Sequence, residues 1–277
     1  MSLVRQECRS PADAVRWCCI LEATSPKPGN VYPGKDFSDL RFQDFVRASE
    51  FAAEAFGDLS LGFTHAVLKA AAMNSRQIGT NVNLGILLLV GPLAETDFRF
   101  SGRLTNGCWQ KEVARLIDQC SAEDCHRVFE AIRISKPGGM GEVAEQDVFA
   151  DPPDDLVGAM MLASDRDLIA GNYADGFATL FEGVVPILRE SIECSDDLFG
   201  GIVHGHLRLL AEYPDSLILR KHGEDLAGEI QRRAAEAIEN NLGRIELDRF
   251  LREHSLNPGT TADLIAASLY VLLREDH

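Results

Sequence analysis

Apolar residues recur along most of the chain at the three- and four-residue spacing that places them on one face of an α-helix. The first such pattern predicts a helix over 11–23, with Ser10 as its N-cap and Pro11 as its first residue. Further helices are predicted over 41–56, 60–76, 83–91, 106–118, 122–134, 155–163, 166–193, 196–212, 224–240, 245–254 and 261–274. Because long stretches of strand alternation are absent, we expect an all-α fold, a single multi-helix bundle domain covering residues 1–277.

Three segments need separate interpretation. The apolar run at 86–90 has a strand-like composition, but it lies inside a helical pattern and is interpreted as buried helix. Two prolines and a glycine at 25–29 end the first helix. The segment 136–153 is rich in Gly, Pro and acidic residues and is longer than most connections, and such loops are often functional. We interpret it as an active-site loop within one domain rather than as a domain boundary.

The charge of the chain narrows the classes of ligand. Its formal net charge is −16, which repels nucleic acid and anionic membrane surfaces. A small phosphate ligand remains compatible with this field, because a few Lys and Arg side chains or a divalent cation can reverse the potential inside one cleft. We therefore expect a small-molecule site, with no nucleic-acid partner and no membrane partner.

The cysteines and the amino-terminal segment indicate where in the cell the protein is expected. The seven cysteines form no CxxC array, so neither a zinc site nor a disulfide framework is indicated, and reduced thiols are expected. Residues 1–10 are polar and lack the apolar region of a signal peptide. The longest apolar run is too short to span a bilayer. We expect a cytoplasmic protein.

Two polar segments of the first third could bind a phosphate. In SPKPGN at 25–30, Lys27 stands between two prolines, whose rigidity lowers the entropic cost of aiming its ammonium group. In GTNVNLG at 79–85, Thr80, Asn81 or Asn83 would cap the apolar helix that follows, and the free N–H groups there can bind an anion. The structural alternatives are a helix-ending turn with a solvated lysine and capping alone.

The loop at 136–147 combines three glycines with three carboxylates. Glu142, Glu145 and Asp147 lie within six residues, and carboxylate oxygens suit Mg²⁺ that bridges to substrate phosphates. The charged triplet at 165–167 could add to this cluster. The alternative is a solvated acidic loop. The pattern is not a Walker A loop, because GxxxxGK[ST] is absent from the chain.

Two more segments lie in the last third. Residues 220–222 form a compact basic patch, Arg-Lys-His, which we interpret as a phosphate or base contact between helices; the alternative is the carboxyl end of a helix closed by Gly223. In NPGTTADL at 257–264, Thr260 and Asp263 have the spacing of a capping box. His204 and His206 diverge by about 200° on a helix and share no metal-binding face.

Together and in this order, these segments resemble the triphosphoribosyl-dephospho-CoA synthase family. SPKPG at 25–29 is similar to the same letters in that family, GTNVNLG at 79–85 to its G-x-N-T-x-x-G segment, and NPGTTADL at 257–264 to its terminal S-P-G-G-[ST]-A-D-L. The loop at 138–147 and the triplet at 165–167 also look like family features. The resemblance covers about 12–273.

The resemblance implies an all-helical enzyme that joins ATP to dephospho-CoA. The 2′-hydroxyl of dephospho-CoA attacks the ATP ribose and adenine leaves, which gives a prosthetic-group precursor for citrate lyase or malonate decarboxylase. ATP is then a substrate, Mg²⁺ is expected, and a homodimer is a further expectation. The candidates for catalysis or metal binding are Glu142, Glu145, Asp147 and, for catalysis only, His222. The candidates for substrate binding are Lys27, Asn81, Asn83, Arg166, Lys221, Asn257, Thr260 and Asp263.

The chain departs from the common bacterial pattern at two places. Asn83-Leu84 replaces a His-Lys pair, and NPGTT at 257–261 replaces SPGGS. In this it resembles divergent members from archaea and from organisms with pterin-linked one-carbon metabolism. Three alternatives therefore stay open: another acceptor for the same ATP chemistry, a helical nucleotide hydrolase, and a non-catalytic nucleotide-binding protein.

Overall fold

The computed structural model describes residues 1–37, 40–100, 104–136 and 153–275. These residues form fifteen α-helices and one π-helical segment, and they contain no β-strand. The predicted all-α fold is confirmed. The helices are α1 (Ser2–Glu7), α2 (Pro11–Thr24), α3 (Phe42–Ala55), α4 (Phe63–Gln77), α5 (Leu84–Arg99), α6 (Asn106–Asp118), α7 (Ala122–Ser135), α8 (Leu156–Met161), α9 (Leu168–Ala174), α10 (Val185–Glu193), α11 (Leu198–Glu212), α12 (Ser216–His222), α13 (Glu224–Ala237), α14 (Asn241–Glu253) and α15 (Gly259–Arg274).

Most predicted helices are present with shifted ends. Ser10 caps α2 through a reciprocal capping box with Asp13, as its position before Pro11 indicated. The apolar run at 86–90 lies inside α5, which continues past Pro92 to Arg99. In the part of the chain that the structure describes, no helix combines the length and the apolar character needed to cross a membrane.

The prediction of one continuous helix over 166–193 is wrong. Gly176 and Phe177 both have positive φ, at 65° and 64°, and they separate α9 from the helical structure that follows. That structure begins with the π-helical segment Thr179–Val184 and continues as α10. The buried amide of Asn172 spans the break, because its Oδ1 accepts a hydrogen bond from the N–H of Leu180 at 3.0 Å.

Two local predictions near the carboxyl end of the chain are also corrected. The basic patch at 220–222 does not lie between helices: it forms the last turn of α12, which Gly223 ends with a φ of 87°. The alternative, a basic helix end closed by glycine, is therefore confirmed. Thr260 does not start a capping box, because α15 begins at Gly259, two residues earlier than predicted, and has Pro258 at its N-cap position without a side-chain cap.

Helix α15 forms the centre of the larger hydrophobic core. Thirteen of its sixteen residues are buried, and it packs against α2, α5, α10 and α11. Trp109 and Tyr270 meet edge to face, with ring centroids 6.0 Å apart. A second cluster joins α11, α12, α13 and α14 around Leu210 and Leu251. The first turn of α15 lies where these two clusters meet, and the candidate site surrounds it.

Candidate functional site

Lys27 lies at the end of α2 and is fully buried rather than solvated. Its Nζ lies 2.9 Å from Oε1 of Glu22, which is also buried, and it donates to the carbonyl oxygens of Glu22 and Ser25. All three ammonium donors are thereby occupied. Burial and the charge of Lys27 lower the pKa of nearby His206 to about 3, so this histidine is neutral. Lys27 fixes Glu22 here, and it presents no free donor to a phosphate.

The segment 25–30 is held against the start of α15. Gly29 has a φ of 75°, and a Cβ at this position would lie 2.7 Å from Cδ1 of Leu251 and 2.8 Å from Cδ of Pro258. Nδ2 of Asn30 donates to Oδ1 of Asn257 at 2.8 Å. Asn257, a predicted substrate ligand, therefore lies beside the SPKPGN segment, although more than 200 residues separate the two along the chain.

Asp215 joins the amino ends of α12 and α15. One carboxylate oxygen accepts hydrogen bonds from the N–H groups of Leu217 and Ile218, at 3.0 and 3.1 Å. The other accepts from the N–H and the hydroxyl of Thr261, at 2.8 and 2.9 Å. Burial raises the pKa of Asp215, although these bonds and the nearby Arg220 oppose the rise. Sequence reasoning missed this residue; Asp followed by Ser ahead of an apolar run is an N-cap signal that could have identified it.

The amino end of α9 lies beside the amino ends of α12 and α15. Asp167 caps α9 by accepting from the N–H groups of Ile169 and Ala170, at 2.8 and 3.2 Å, and it forms an ion pair with Arg220. The N–H of Leu168 donates to the Ser216 hydroxyl at 3.3 Å. That hydroxyl in turn bonds Oγ1 of Thr260 at 3.0 Å. The predicted substrate ligand Thr260 is therefore part of a hydrogen-bonded link between α9, α12 and α15.

Asp263 faces the second residue of α5. A Cβ added to Gly85 would lie 2.0 Å from Oδ2 of Asp263, so this approach is possible only beside a glycine. Burial raises the pKa of the Asp263 carboxyl well above its ordinary value. The negative charges of Glu22, Asp215 and Asp167 add to the rise, and Arg220 opposes it. Asp263 accepts no hydrogen bond from any residue in the described ranges.

The amino end of α5 carries the two predicted asparagines. Asn83 occupies the N-cap position of α5 without a side-chain cap hydrogen bond, and Oδ1 of Asn81 accepts from the N–H of Leu84 at 3.2 Å. Asn83 is buried and accepts a hydrogen bond from Nδ2 of Asn74 at 2.7 Å. The Nδ2 atom of Asn83 is a buried donor without a partner among the described residues. Asn83 thus retains one unused donor at the start of this helix.

The remaining candidates lie apart from this cluster or outside the described residues. Arg166 is partly exposed and forms no ion pair with a described residue, while Lys221 and His222 are exposed on the last turn of α12. Glu142, Glu145 and Asp147 lie outside the described residues. Among the residues that are described, no group of three His, Cys, Asp or Glu side chains is arranged to hold a metal ion.

The site thus joins five segments that are distant in sequence: 22–30, 81–85, 167, 215–220 and 257–263. It concentrates four carboxylates, those of Glu22, Asp167, Asp215 and Asp263, around two cations, Lys27 and Arg220. A site with this excess of negative charge can stabilise a developing positive charge and can accept a proton.

Comparison with known proteins gives matches of three kinds. The family model described as CitG, ATP:dephospho-CoA triphosphoribosyl transferase, matches residues 8–277. Two curated Pectobacterium proteins are 30% identical to the chain over 99 residues; the P. atrosepticum protein (strain SCRI 1043) is named 2-(5''-triphosphoribosyl)-3'-dephosphocoenzyme-A synthase, and the P. carotovorum protein (strain PC1) is named a probable one. Each match covers 35% of this chain and 33% of the relative, so it spans about a third of the relatives' length.

A solved structure extends the likeness. The crystal structure of a candidate triphosphoribosyl-dephospho-CoA synthase from Archaeoglobus fulgidus superposes on this chain with a TM-score of 0.67 and 25% sequence identity. The superposition covers 83% of this chain and 99% of that one. The helical arrangement is therefore shared over nearly the whole length of the archaeal protein.

Proposed function

Because the chain belongs to the CitG family of ATP:dephospho-CoA triphosphoribosyl transferases, we propose that it transfers the 5-triphosphoribosyl group of ATP to the 2′-hydroxyl of 3′-dephospho-CoA and releases adenine. One observation carries the proposal: the segments at 25–30, 81–85 and 257–263, which resemble the family, lie around one cluster of carboxylates. A role in prosthetic-group synthesis follows from that product.

The charge of the cluster suits this reaction. Loss of adenine from the ribose C1 passes through a centre with oxocarbenium character, whose positive charge is stabilised by nearby carboxylates. The attacking hydroxyl needs a proton acceptor within hydrogen-bond reach. Asp263 has free carboxylate oxygens at this place, and the fixed charges of Glu22, Asp167 and Asp215 surround it.

The triphosphate requires donors, and the amino end of α5 offers them. The N–H groups of Gly85 and Ile86 donate to no described residue, and Nδ2 of Asn83 is unused. Helix amino ends bind phosphate through such groups and through the helix dipole. We propose this end of α5 as the phosphate subsite and Asn257 as a group that orients the substrate. Thr260 is buried and bonded to Ser216, so its proposed contribution to substrate binding is to fix the first turn of α15. Lys27 is assigned the different role of fixing Glu22.

Mg²⁺ would screen the phosphate charges of ATP when it is bound. The described carboxylates of Glu22, Asp167 and Asp215 already pair with cations or N–H groups, so they do not fit a metal site. We keep Glu142, Glu145 and Asp147 as the proposed ligands, and no step of the proposed reaction depends on the metal. Lys221, Arg166 and His222 remain proposed contacts for phosphate or purine, and a cytoplasmic homodimer is likewise proposed.

The test is to incubate the protein with ATP, Mg²⁺ and dephospho-CoA and to separate the products by chromatography. We expect free adenine and a product that retains all three phosphates. Release of ADP or phosphate would overturn the proposal, because the glycosidic bond would then be intact. Adenine formed without an acceptor would indicate a hydrolase. Binding of ATP without any turnover would indicate a non-catalytic protein. Turnover only with a different alcohol would show that the acceptor is that alcohol and not dephospho-CoA.

A further inference from the structure

The four carboxylates of the site differ in what their oxygens contact. Glu22 pairs with Lys27 at 2.9 Å. Asp215 accepts four hydrogen bonds, two from the start of α12 and two from Thr261. Asp167 caps α9 and pairs with Arg220. Each of these three carboxylates is therefore held in place by the fold, and using it on a substrate would break structural hydrogen bonds.

Asp263 is the exception among these four. It accepts no hydrogen bond from the described part of the chain, and the residue as a whole is only partly buried, so a ligand can approach it. Burying polar groups without partners is unfavourable, and such groups persist where function requires them. The first turn of α15 is nevertheless fixed, because Asp215 binds Thr261 and Ser216 binds Thr260. Asp263 therefore projects an unoccupied carboxylate from a rigid support.

Gly85 provides the space for this carboxylate. Because a Cβ at position 85 would lie only 2.0 Å from Oδ2, every other residue type would displace Asp263. The same Cβ would lie 2.8 Å from Cδ1 of Ile169, so the neighbouring helix α9 also limits any shift. Asp263 thus lies directly beside the amino end of α5, which is the proposed phosphate subsite.

We propose that Asp263 is the catalytic residue that accepts the proton of the attacking hydroxyl, an inference that rests on the proposed function. The hydroxyl oxygen forms a bond to the ribose C1 of ATP, and the bond from C1 to the adenine nitrogen breaks. The electron pair of the broken bond leaves with adenine. The hydroxyl proton passes to Asp263, departing adenine takes up one proton from solvent, and Asp263 then releases its proton to solvent, so the overall reaction neither consumes nor releases protons.

The groups around Asp263 adjust its basicity for this role. Glu22 from α2, Asp167 at α9 and Asp215 at α12 are negative, and Arg220 of α12 acts in the opposite direction. Burial, and after it these negative charges, raises the pKa of Asp263, so its carboxylate is a stronger base than an ordinary aspartate. The ammonium group of Lys27 pairs with Glu22, so it does not form an ion pair with Asp263.

The decisive variant is Asp263→Asn, which keeps the size of the side chain and removes the base. We expect kcat for adenine release to fall about 10²- to 10⁴-fold. KM for ATP should not rise, because the N–H groups of the phosphate subsite are kept and only a neighbouring negative charge is removed. The fall of kcat at acidic pH in the natural protein should disappear from the residual activity of this variant. Asp97→Asn is the matched control, since Asp97 is a carboxylate bonded to Tyr270 and Arg274 at the other end of α15. We expect folded Asp97→Asn protein to keep kcat.

A second measurement does not depend on turnover. Carbodiimide-activated amine labelling, read by peptide mass spectrometry, should modify Asp263 in the free protein, and ATP with dephospho-CoA should protect it. Near-natural kcat in Asp263→Asn, or labelling that these ligands leave unchanged, would overturn the inference. If the natural protein releases no adenine, the proposed function fails. The labelling then tests only whether Asp263 lies in the ligand site, because protection by the ligands would still place it there.

Discussion

Asp263 and Lys27 are charged residues of one site, but their surroundings differ. Lys27 has three acceptors around its ammonium group and no exposed surface. Asp263 has three carboxylates near it and no hydrogen-bond donor among the described residues. The first arrangement stabilises the folded chain through its pairing, whereas the second opposes ionisation of the group. Substitutions at these two positions should therefore have opposite effects on stability.

We predict that Asp263→Asn raises thermal stability at about pH 8. The pKa of Asp263 is raised on folding, so ionising it in the folded protein is unfavourable. Below the ordinary value of 3.8 the carboxyl is protonated in both states. As pH rises through the interval up to the raised value, the unfolded chain releases its proton first and folding loses stability. Each pKa unit corresponds to about 1.4 kcal/mol, and the asparagine variant avoids this loss.

Thermal unfolding of both proteins between about pH 4 and pH 8 tests this sign. The advantage of the variant should shrink as the pH falls towards the ordinary aspartate value. A variant that is less stable than the natural protein at about pH 8, with the difference growing on alkalinisation, would show that the carboxylate is stabilised by the fold.

We predict that Lys27→Met lowers the free energy of unfolding by about 3–5 kcal/mol, because it leaves Glu22 buried without a counter-charge. Urea denaturation measures the change. The double variant Glu22→Gln with Lys27→Met should recover roughly half of the loss, since no unpaired charge remains. A loss below about 1 kcal/mol in the single variant would mean that water reaches the pair and screens it.

At this scale the sequence predicted only some of the site. Lys27 and Asp263 stood out because each lies in a short segment of Pro and Gly beside an apolar helix. Glu22 and Asp215 were missed. Asp215 binds Thr261, which is close to it only after folding, whereas Glu22 pairs with Lys27, only five residues along the chain. The sequence also did not show that Lys27 is buried. Its acceptors on Glu22 and Ser25 lie five and two residues away, but a local pattern does not reveal whether other helices cover them.

Among the elements, the site depends on side chains of one helix that approach the backbone of a glycine in another segment closely. The turn after α2 touches α14 and Pro258 at Gly29, and α15 reaches α5 at Gly85. Glycine is required at these places for lack of space, and at Gly29 also for its φ of 75°. The close contacts explain how helices that share no hydrogen-bonded ladder still align their amino ends to form one site.

We predict that Gly29→Ala destabilises the protein by about 2–4 kcal/mol, from overpacking against Leu251 and Pro258 together with left-handed strain. Gly34→Ala is the matched control: Gly34 has a similar φ of 81°, but no atom lies within 4 Å of the place that its Cβ would take. In the control, only the left-handed strain should lower the free energy of unfolding, by about 1 kcal/mol. Equal shifts in the urea midpoint of the two variants would show that packing at Gly29 contributes nothing.

The sequence predicted well which segments are helical, but it did not predict where a helix is interrupted. The 3.6-residue pattern identified nearly every long helix, because each must bury one apolar face. Helix α12 was missed since it is short and ends in three basic residues, so its pattern has too few turns to be distinct. The break at 175–184 was missed because the apolar pattern continues through it, while Phe177 in a left-handed conformation and the π-helical segment are set by tertiary packing.

For the whole molecule, the negative net charge and the phosphate ligand have to be reconciled. The chain carries −16 formally, and the described site itself has more carboxylates than cations. ATP binding must therefore depend on local N–H groups and on any cation that accompanies ATP, rather than on the overall field. That the chain folds as a single domain stays a prediction.

We predict that ATP with Mg²⁺ stabilises the protein against heat. A ligand at about 100 times its Kd that binds only the folded state adds about 2.7 kcal/mol, which corresponds to a rise in Tm of about 5 °C or more. Mg²⁺ alone is the control and should give a much smaller rise. The absence of any shift at millimolar ATP with Mg²⁺ would contradict a nucleotide site anywhere in the chain.

The central position of α15 has a consequence for protein synthesis. Every helix that packs on it, including α2, α5, α10 and α11, is made earlier by the ribosome. Until Arg274 has emerged, the apolar faces that α15 will cover remain open to solvent, and the nascent chain cannot complete its larger core. Chains cut short before residue 259 should consequently be captured by chaperones or degraded, however well their own helices form.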